Sequence, residues 1–209
     1  MIRNVIFDLD GTLLDSEYHA TVIKREVLKR HDVEPTEELM AKLTAVKFRN
    51  VLPSLLADKK LVAELMDDYY HTAYDNVDYS TFMIPGSTQL LKELKEKGYT
   101  LALATISDRQ KVSQVIEQCG WQGLFSYVTT FDDVRKPKPD PEIYLTVLDK
   151  LNLKKEETVV VEDSPVGIES ARRAGLKIIC RREDRLPLDQ SGADRYIDDL
   201  SEIISIIEE

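Results

Sequence analysis

The sequence predicts an α/β protein: a Rossmann-like three-layer core with a central parallel sheet, plus a small all-helical cap inserted after the first strand. From residue 85 onward, short apolar runs typical of buried strands alternate with helical segments, an order that indicates parallel strands covered on both faces. Between the first strand and that point, apolar residues recur only with helical spacing. We therefore expect a catalytic core over residues 1–15 and 84–209 and a cap over residues 16–83.

The core strands are recognised by apolar, β-favouring runs that end at turn residues. The first covers residues 2–9, where Val5-Ile6-Phe7 is apolar and Gly11-Thr12 ends the run. Runs of the same character predict five more strands, at residues 100–105, 127–131, 158–162, 178–180 and 196–197.

Helix starts follow from residues that favour N-caps, and helix ends follow from glycine. Gln110 lies three residues after one of the predicted caps, which is typical of a capping box, and proline follows the last two caps. A final helix is expected over residues 200–207. The predicted N-caps are Ser16, Ser87, Ser107, Asp140 and Ser164, and the predicted helix ends lie at Gly98, Gly120 and Gly175.

Composition narrows the function. The chain has 209 residues, of which 43% are hydrophobic and 32% charged, a composition that is ordinary for a globular protein. Its net charge of -10 would repel a phosphate backbone and therefore disfavours a nucleic-acid partner. Cys119 and Cys180 form no metal-binding pair, and no apolar run is long enough to span a membrane. We therefore expect a cytoplasmic protein with no membrane partner, as a monomer or weak homodimer.

Chemistry-bearing side chains follow the predicted strands at their carboxyl ends, where open α/β sheets bind ligands. Several carboxylates at one edge would repel each other, and a hard divalent cation such as Mg²⁺ would remove that conflict. A lysine there suits a phosphate rather than a metal. The pattern indicates a phosphoryl-transfer site. The residues concerned are Asp8, Asp10, Thr105, Ser107, Lys136, Glu162 and Asp163.

Four motifs resemble those of the haloacid dehalogenase superfamily. Asp8-Leu9-Asp10-Gly11-Thr12-Leu13 is similar to its first motif, and Thr105 in Leu-Ala-Thr-Ile-Ser to its second. Lys136 in Lys-Pro-Lys-Pro-Asp-Pro resembles the third motif, and Glu162-Asp163-Ser164-Pro165-Val166-Gly167 the fourth. The inserted segment resembles the helical cap of the branch that holds phosphoglycolate phosphatases and β-phosphoglucomutase.

The resemblance implies a role for each matched residue. Asp8 would attack phosphorus and form an aspartyl phosphate, while Asp10 would protonate the leaving oxygen and then activate water. Asp8, Asp163 and the backbone carbonyl of Asp10 would bind Mg²⁺, with Glu162 acting through a water. Thr105, Ser107 and Lys136 would bind the phosphoryl group, and Lys136 would also orient the nucleophile. The expected partner is a small phosphorylated metabolite.

Three other functions stay open. A sugar phosphomutase would use the same chemistry, but the cap stretch carries Ala45 and Phe48 where β-phosphoglucomutase has a glycine and a phosphate-gripping arginine. A dehalogenase has no need of Asp10, and a non-catalytic phospho-ligand-binding protein need not keep the whole set. Substrate selection is expected from polar cap residues, for which the candidates are His19, Lys47 and Arg49.

Overall fold

A single six-stranded sheet organises the larger part of the molecule. The computed structural model describes residues 1–44, 48–74 and 77–209. Within them the strand order is β3-β2-β1-β4-β5-β6, and every neighbouring pair is parallel. The strands are β1 (Asn4–Phe7), β2 (Thr100–Ala104), β3 (Tyr127–Thr129), β4 (Thr158–Glu162), β5 (Lys177–Arg181) and β6 (Arg195–Ile197).

Helices connect the strands and fill the insertion. In the described residues, the helices that follow β1 in the insertion are α1 (Ser16–Arg30), α2 (Glu37–Leu43), α3 (Phe48–Leu55) and α4 (Lys59–Tyr74). Those that alternate with the later strands are α5 (Ser87–Glu96), α6 (Arg109–Gln118), α7 (Glu142–Leu151), α8 (Pro165–Ala174) and α9 (Glu202–Glu208). No helix in these described ranges is long and apolar enough to cross a membrane.

Both faces of the sheet are buried. Ile6, Val160 and Ile178 project from one face into a cluster with residues of α7 and α8. Their strand neighbours Val5 and Val161 point to the opposite face and are also fully buried. Burial on both sides explains why the strands are apolar runs rather than alternating ones. The predicted α/β Rossmann-like fold with a parallel sheet is confirmed.

The chain divides into two compact units. One comprises residues 1–15, 79–184 and 188–209, and the other comprises residues 16–78 and 185–187. The second unit has its own core, in which Val27, Leu52 and Leu65 are buried with neighbouring apolar residues. Residues 79–83, which the sequence analysis assigned to the insertion, lie in the first unit. The short 3-10 helix Tyr79–Phe82 packs on α6 there.

The predicted helix caps at Ser87, Ser107 and Asp140 are wrong. Pro141, not Asp140, is the cap residue of α7. Each of the two serines makes other contacts. Gly86 precedes α5, while the Ser87 hydroxyl donates to the carbonyls of Leu13 and Ile84 at 2.9 and 2.8 Å. Asp108, not Ser107, caps α6 by accepting from the Lys111 N–H. Both serines are therefore free of the helix end and available for tertiary contacts. The cap at Ser164 is confirmed, because its side chain accepts from Gly167 N and proline follows.

Candidate active site

The site begins at the end of β1, which lies between β2 and β4 in the sheet. Asp8 is 5% exposed, and its N–H donates to the Val161 carbonyl at 2.9 Å, which extends the strand pairing by one residue. The chain then turns through Gly11 with φ of +93°, and a Cβ there would lie 2.0 Å from Oδ2 of Asp163. Glycine is therefore required both by the backbone conformation and by the approach of a carboxylate.

Lys138, not Lys136, occupies the lysine position beside the nucleophile candidate. Its ammonium lies 2.5 Å from Oδ1 of Asp8 and 2.7 Å from Oε1 of Glu162, and it donates to the Ala104 carbonyl at 3.0 Å. The Lys138 side chain is 1% exposed. The expectation that Lys136 orients Asp8 is wrong in this structure: the Lys136 side chain is 74% exposed and lies 3.9 Å from Asp140.

The lysine role was assigned to the wrong residue because the sequence signal occurs twice. Lys-Pro occurs twice, at 136–137 and 138–139, so either lysine satisfies the dipeptide. What separates them is the distance to α7. Glu142, in the first turn of that helix, accepts from the Lys136 N–H at 3.0 Å. This bond holds the Lys136 backbone outside the site, and the chain reaches the sheet edge only two residues later.

Glu162 holds Lys138 and the loop after β4 in place. It is fully buried, and its Oε1 accepts from Lys138 and from the Tyr144 hydroxyl at 3.1 Å. Its Oε2 accepts from the Asp163 N–H, the Ser164 N–H and the Ser164 hydroxyl at 2.8, 2.8 and 3.0 Å. A carboxylate offers about four lone-pair sites, so Glu162 is saturated by protein donors.

An acidic cluster at this edge fits a hard cation. Asp8, Glu162 and Asp163 each place a carboxylate oxygen within 4.8 Å of the others. Because Glu162 is saturated, the carboxylates with room for a direct bond are Asp8 and Asp163. Asp163 accepts from the Thr12 hydroxyl at 3.0 Å and is 2% exposed. An oxygen-only ligand set of this kind suits Mg²⁺ or a similar ion.

Burial sets the charge states in this cluster. It raises the pKa of Asp8 to about 8, with Lys138 opposing the effect and Glu162 reinforcing it. Burial also acts to raise the pKa of Glu162, but Lys138 and the backbone N–H donors outweigh it, so that pKa is lowered. For Lys138 burial acts to lower the pKa, and the two carboxylates raise it well above normal. A bound cation would favour the ionised form of Asp8.

Asp10 contacts residues that follow the end of β2. Oδ2 of Asp10 accepts from the Ser107 hydroxyl at 2.5 Å, and Oδ1 lies 2.6 Å from the Lys111 ammonium. Thr105 is fully buried, and its hydroxyl accepts from the Ser107 N–H at 3.1 Å. Sequence reasoning missed Lys111. The available signal was a basic residue in the first turn of a helix, where the dipole disfavours it.

Two of the three candidate cap residues are described, and both belong to the second unit. His19 is half-buried on α1, and Arg49 is exposed on α3. Lys47 lies outside the described residues. The proposed part of these residues in substrate selection stays a prediction.

Sequence comparison finds a matching family and similar phosphatases. The family model of haloacid dehalogenase-like hydrolases matches residues 5–180. A phosphorylated carbohydrates phosphatase of Thermotoga maritima is 32% identical, over 84% of this chain and 82% of its own length. The validoxylamine A 7'-phosphate phosphatase of Streptomyces hygroscopicus is 31% identical, over 84% of each chain.

Structural comparison agrees. A crystal structure of a putative β-phosphoglucomutase from Thermotoga maritima superposes with a TM-score of 0.77 at 28% identity, covering 99% of both chains.

Proposed function

The chain belongs to the haloacid dehalogenase-like hydrolase family, and we propose that it is a magnesium-dependent phosphatase of small phosphorylated metabolites. One observation carries the proposal: a buried carboxylate, Asp8, ends a central strand with an ammonium group on one side and a second carboxylate, Asp10, two residues further on. The phosphatase relatives support hydrolysis of phosphate monoesters, and the two named above favour a phosphorylated carbohydrate or a similar compound as substrate.

In the first half of the reaction, an oxygen of Asp8 attacks phosphorus and the bond from phosphorus to the leaving oxygen breaks. The leaving oxygen takes a proton from the Asp10 carboxyl group, so the alcohol departs neutral. Lys138 contacts the attacking carboxylate and supplies positive charge for the phosphoryl oxygens. In this proposal the Thr105 hydroxyl, at the end of β2, donates to the same oxygens, whereas the Ser107 hydroxyl donates to Asp10 instead.

In the second half, water attacks phosphorus and the bond to Asp8 breaks, which returns the electron pair to that carboxylate. Asp10 accepts the proton of the attacking water, so it ends the cycle as it began. Inorganic phosphate leaves. One carboxyl group thus serves both halves, which requires that it face the same phosphorus throughout.

Asp8, Asp163 and the backbone carbonyl of Asp10 would hold Mg²⁺. Glu162 would not bind the ion directly; it would keep Lys138 and the loop after β4 in position through its hydrogen bonds. When bound, the ion offsets the repulsion between an anionic nucleophile and an anionic phosphate. The raised pKa of Asp8 supports this assignment, because burial disfavours its charge and a bound cation would favour it.

The test measures phosphate released from a panel of sugar phosphates and p-nitrophenyl phosphate, with Mg²⁺ or with excess chelator. We expect turnover with Mg²⁺ and none with chelator. Asp8→Asn should lower kcat by several decades, since it removes the nucleophile. Asp149→Asn, at an exposed position on α7, is the matched control and should not change kcat. An Asp8→Asn variant within tenfold of the wild type would refute the proposal.

The same assay addresses the mutase alternative, which the structural relative favours. A mutase holds a bisphosphate and keeps water from the aspartyl phosphate, so it isomerises a sugar phosphate faster than it releases phosphate. We expect net release and no gain from added sugar bisphosphate. Rapid isomerisation of β-glucose 1-phosphate with negligible free phosphate would establish the mutase instead.

A further inference from the structure

Lys111 lies in the first turn of α6, where a positive charge opposes the helix dipole. The other basic residue of that turn, Arg109, pairs with Asp133, which is outside the site. Lys111 instead places its ammonium 2.6 Å from Oδ1 of Asp10, and its side chain is only 18% exposed. The unfavourable position in the helix is thus offset by a carboxylate that the proposed reaction uses.

Asp10 is held through both oxygens by one short segment of chain. Ser107 donates to Oδ2 at 2.5 Å, while Lys111 engages Oδ1. The Asp10 side chain is 12% exposed. The segment that supplies both donors is itself fixed, because the Lys111 N–H donates to Asp108 at 2.8 Å. Two contacts on two oxygens leave the carboxylate plane little freedom to rotate.

The Lys111 side chain is also supported on its far side. Its ammonium lies 6.0 Å from the centre of the Tyr79 ring, and Tyr79 is 5% exposed. The Tyr79 N–H donates to Gln118 at the other end of α6 at 2.7 Å. The helix that carries Lys111 is therefore anchored at both ends.

We propose that Lys111 is a positioning residue that holds the Asp10 carboxylate toward phosphorus for the hydrolysis of the aspartyl phosphate. The inference rests on the proposed function. In this half-reaction the Asp10 carboxylate must be aimed at the attacking water, and the contacts of Ser107 and Lys111 with its two oxygens fix that direction. Water gives its proton to Asp10, its oxygen bonds to phosphorus, and the bond from phosphorus to Asp8 breaks. Lys111 itself exchanges no proton and makes no bond to substrate.

The test separates the two half-reactions in rapid mixing with p-nitrophenyl phosphate, which needs little proton donation to its leaving group. Lys111→Met should lower kcat about 10- to 100-fold, the loss expected when a catalytic group is displaced by about 1 Å. Release of p-nitrophenol should show a burst close to one equivalent, because phosphoenzyme forms and then hydrolyses slowly. Lys111→Arg, which keeps the charge, should recover most of the rate.

Lys92→Met, at an exposed position on α5, is the matched control and should behave as wild type. If Lys111→Met does not fold, Ser107→Ala removes the hydrogen bond to the other oxygen of Asp10. This variant should show a burst that is smaller than the one expected for Lys111→Met. Unchanged half-reactions in either folded variant would overturn the inference, as would a raised KM without a burst. A wild-type protein that forms no trapped phosphoenzyme would instead refute the proposed function, and the inference with it.

Discussion

Replacing Lys136 and Lys138 by methionine, one at a time, tests which of the two lysines belongs to the site. Methionine keeps most of the apolar length of lysine and removes only the charge. Lys138 is 1% exposed and bonds two carboxylates that are themselves 7% and 0% exposed. Its loss leaves buried charge uncompensated, which destabilises a protein by about 3–5 kcal/mol. Lys136 is 74% exposed and 3.9 Å from its partner, so its loss changes stability by roughly 0–0.5 kcal/mol.

Urea unfolding measures this difference. With a slope of about 3 kcal/mol/M, the Lys138→Met midpoint should fall by about 1 M or more, while Lys136→Met should stay near wild type. The single tryptophan, Trp121, is fully buried in the core unit and donates to Thr88 at 2.8 Å, so its fluorescence reports the unfolding of that unit.

The same two variants should also differ in kcat. Lys138→Met should lose at least about 10²-fold in kcat, because it removes the charge beside both the nucleophile and the phosphoryl group. Lys136→Met should remain within about twofold of wild type, as surface substitutions usually do. The reverse pattern, with Lys136→Met inactive and Lys138→Met active and stable, would refute the assignment.

Two further predictions concern the groups around Lys138. Burial raises the pKa of Asp8 to about 8, against about 3.9 in an unfolded chain. The contribution of Asp8 to stability is therefore intact below about pH 4 and is lost as the pH rises toward 8. In chelator, Asp8→Asn should raise Tm more at pH 8 than at pH 5, and a pH-independent difference would contradict this. A Cβ on Gly167 would lie 1.6 Å from Oε1 of Glu162. Gly167→Ala should therefore destabilise the protein, although alanine normally favours a helix over glycine by about 1 kcal/mol, and it should also lower kcat. Val166→Ala, at the exposed neighbouring position, should change neither stability nor kcat.

Elements with purely local signals were predictable from sequence. The strand at residues 158–162 is observed with the same bounds, and Ser164-Pro165 begins α8 as expected. In both cases the sequence signal lies within a few residues along the chain, although the strand itself pairs with β1 and β5. The first strand is shorter than expected, 4–7 against 2–9, and the turn through Gly11 follows it.

The errors arose where a long-range contact decides between equivalent local choices. Ser107 satisfies a capping pattern, but Asp108 caps the helix and Ser107 bonds Asp10, 97 residues away in sequence. Lys136 and Lys138 both precede proline, and the choice is made by Asp8, 130 residues from Lys138. No periodicity or capping rule contains such information. The carboxylates themselves were predictable because strand ends in a parallel sheet converge on one edge.

The contrast between Asp8 and Lys138 gives the site a property that neither residue shows alone. Both substitutions should abolish turnover, yet they should move stability in opposite directions at pH 8 without metal, since one removes a charge that burial disfavours and the other removes the charge that compensates it. A merely structural ion pair would lose stability when either partner is neutralised. Opposite signs would therefore indicate that burial disfavours the ionised form of Asp8, a cost that a bound cation would offset.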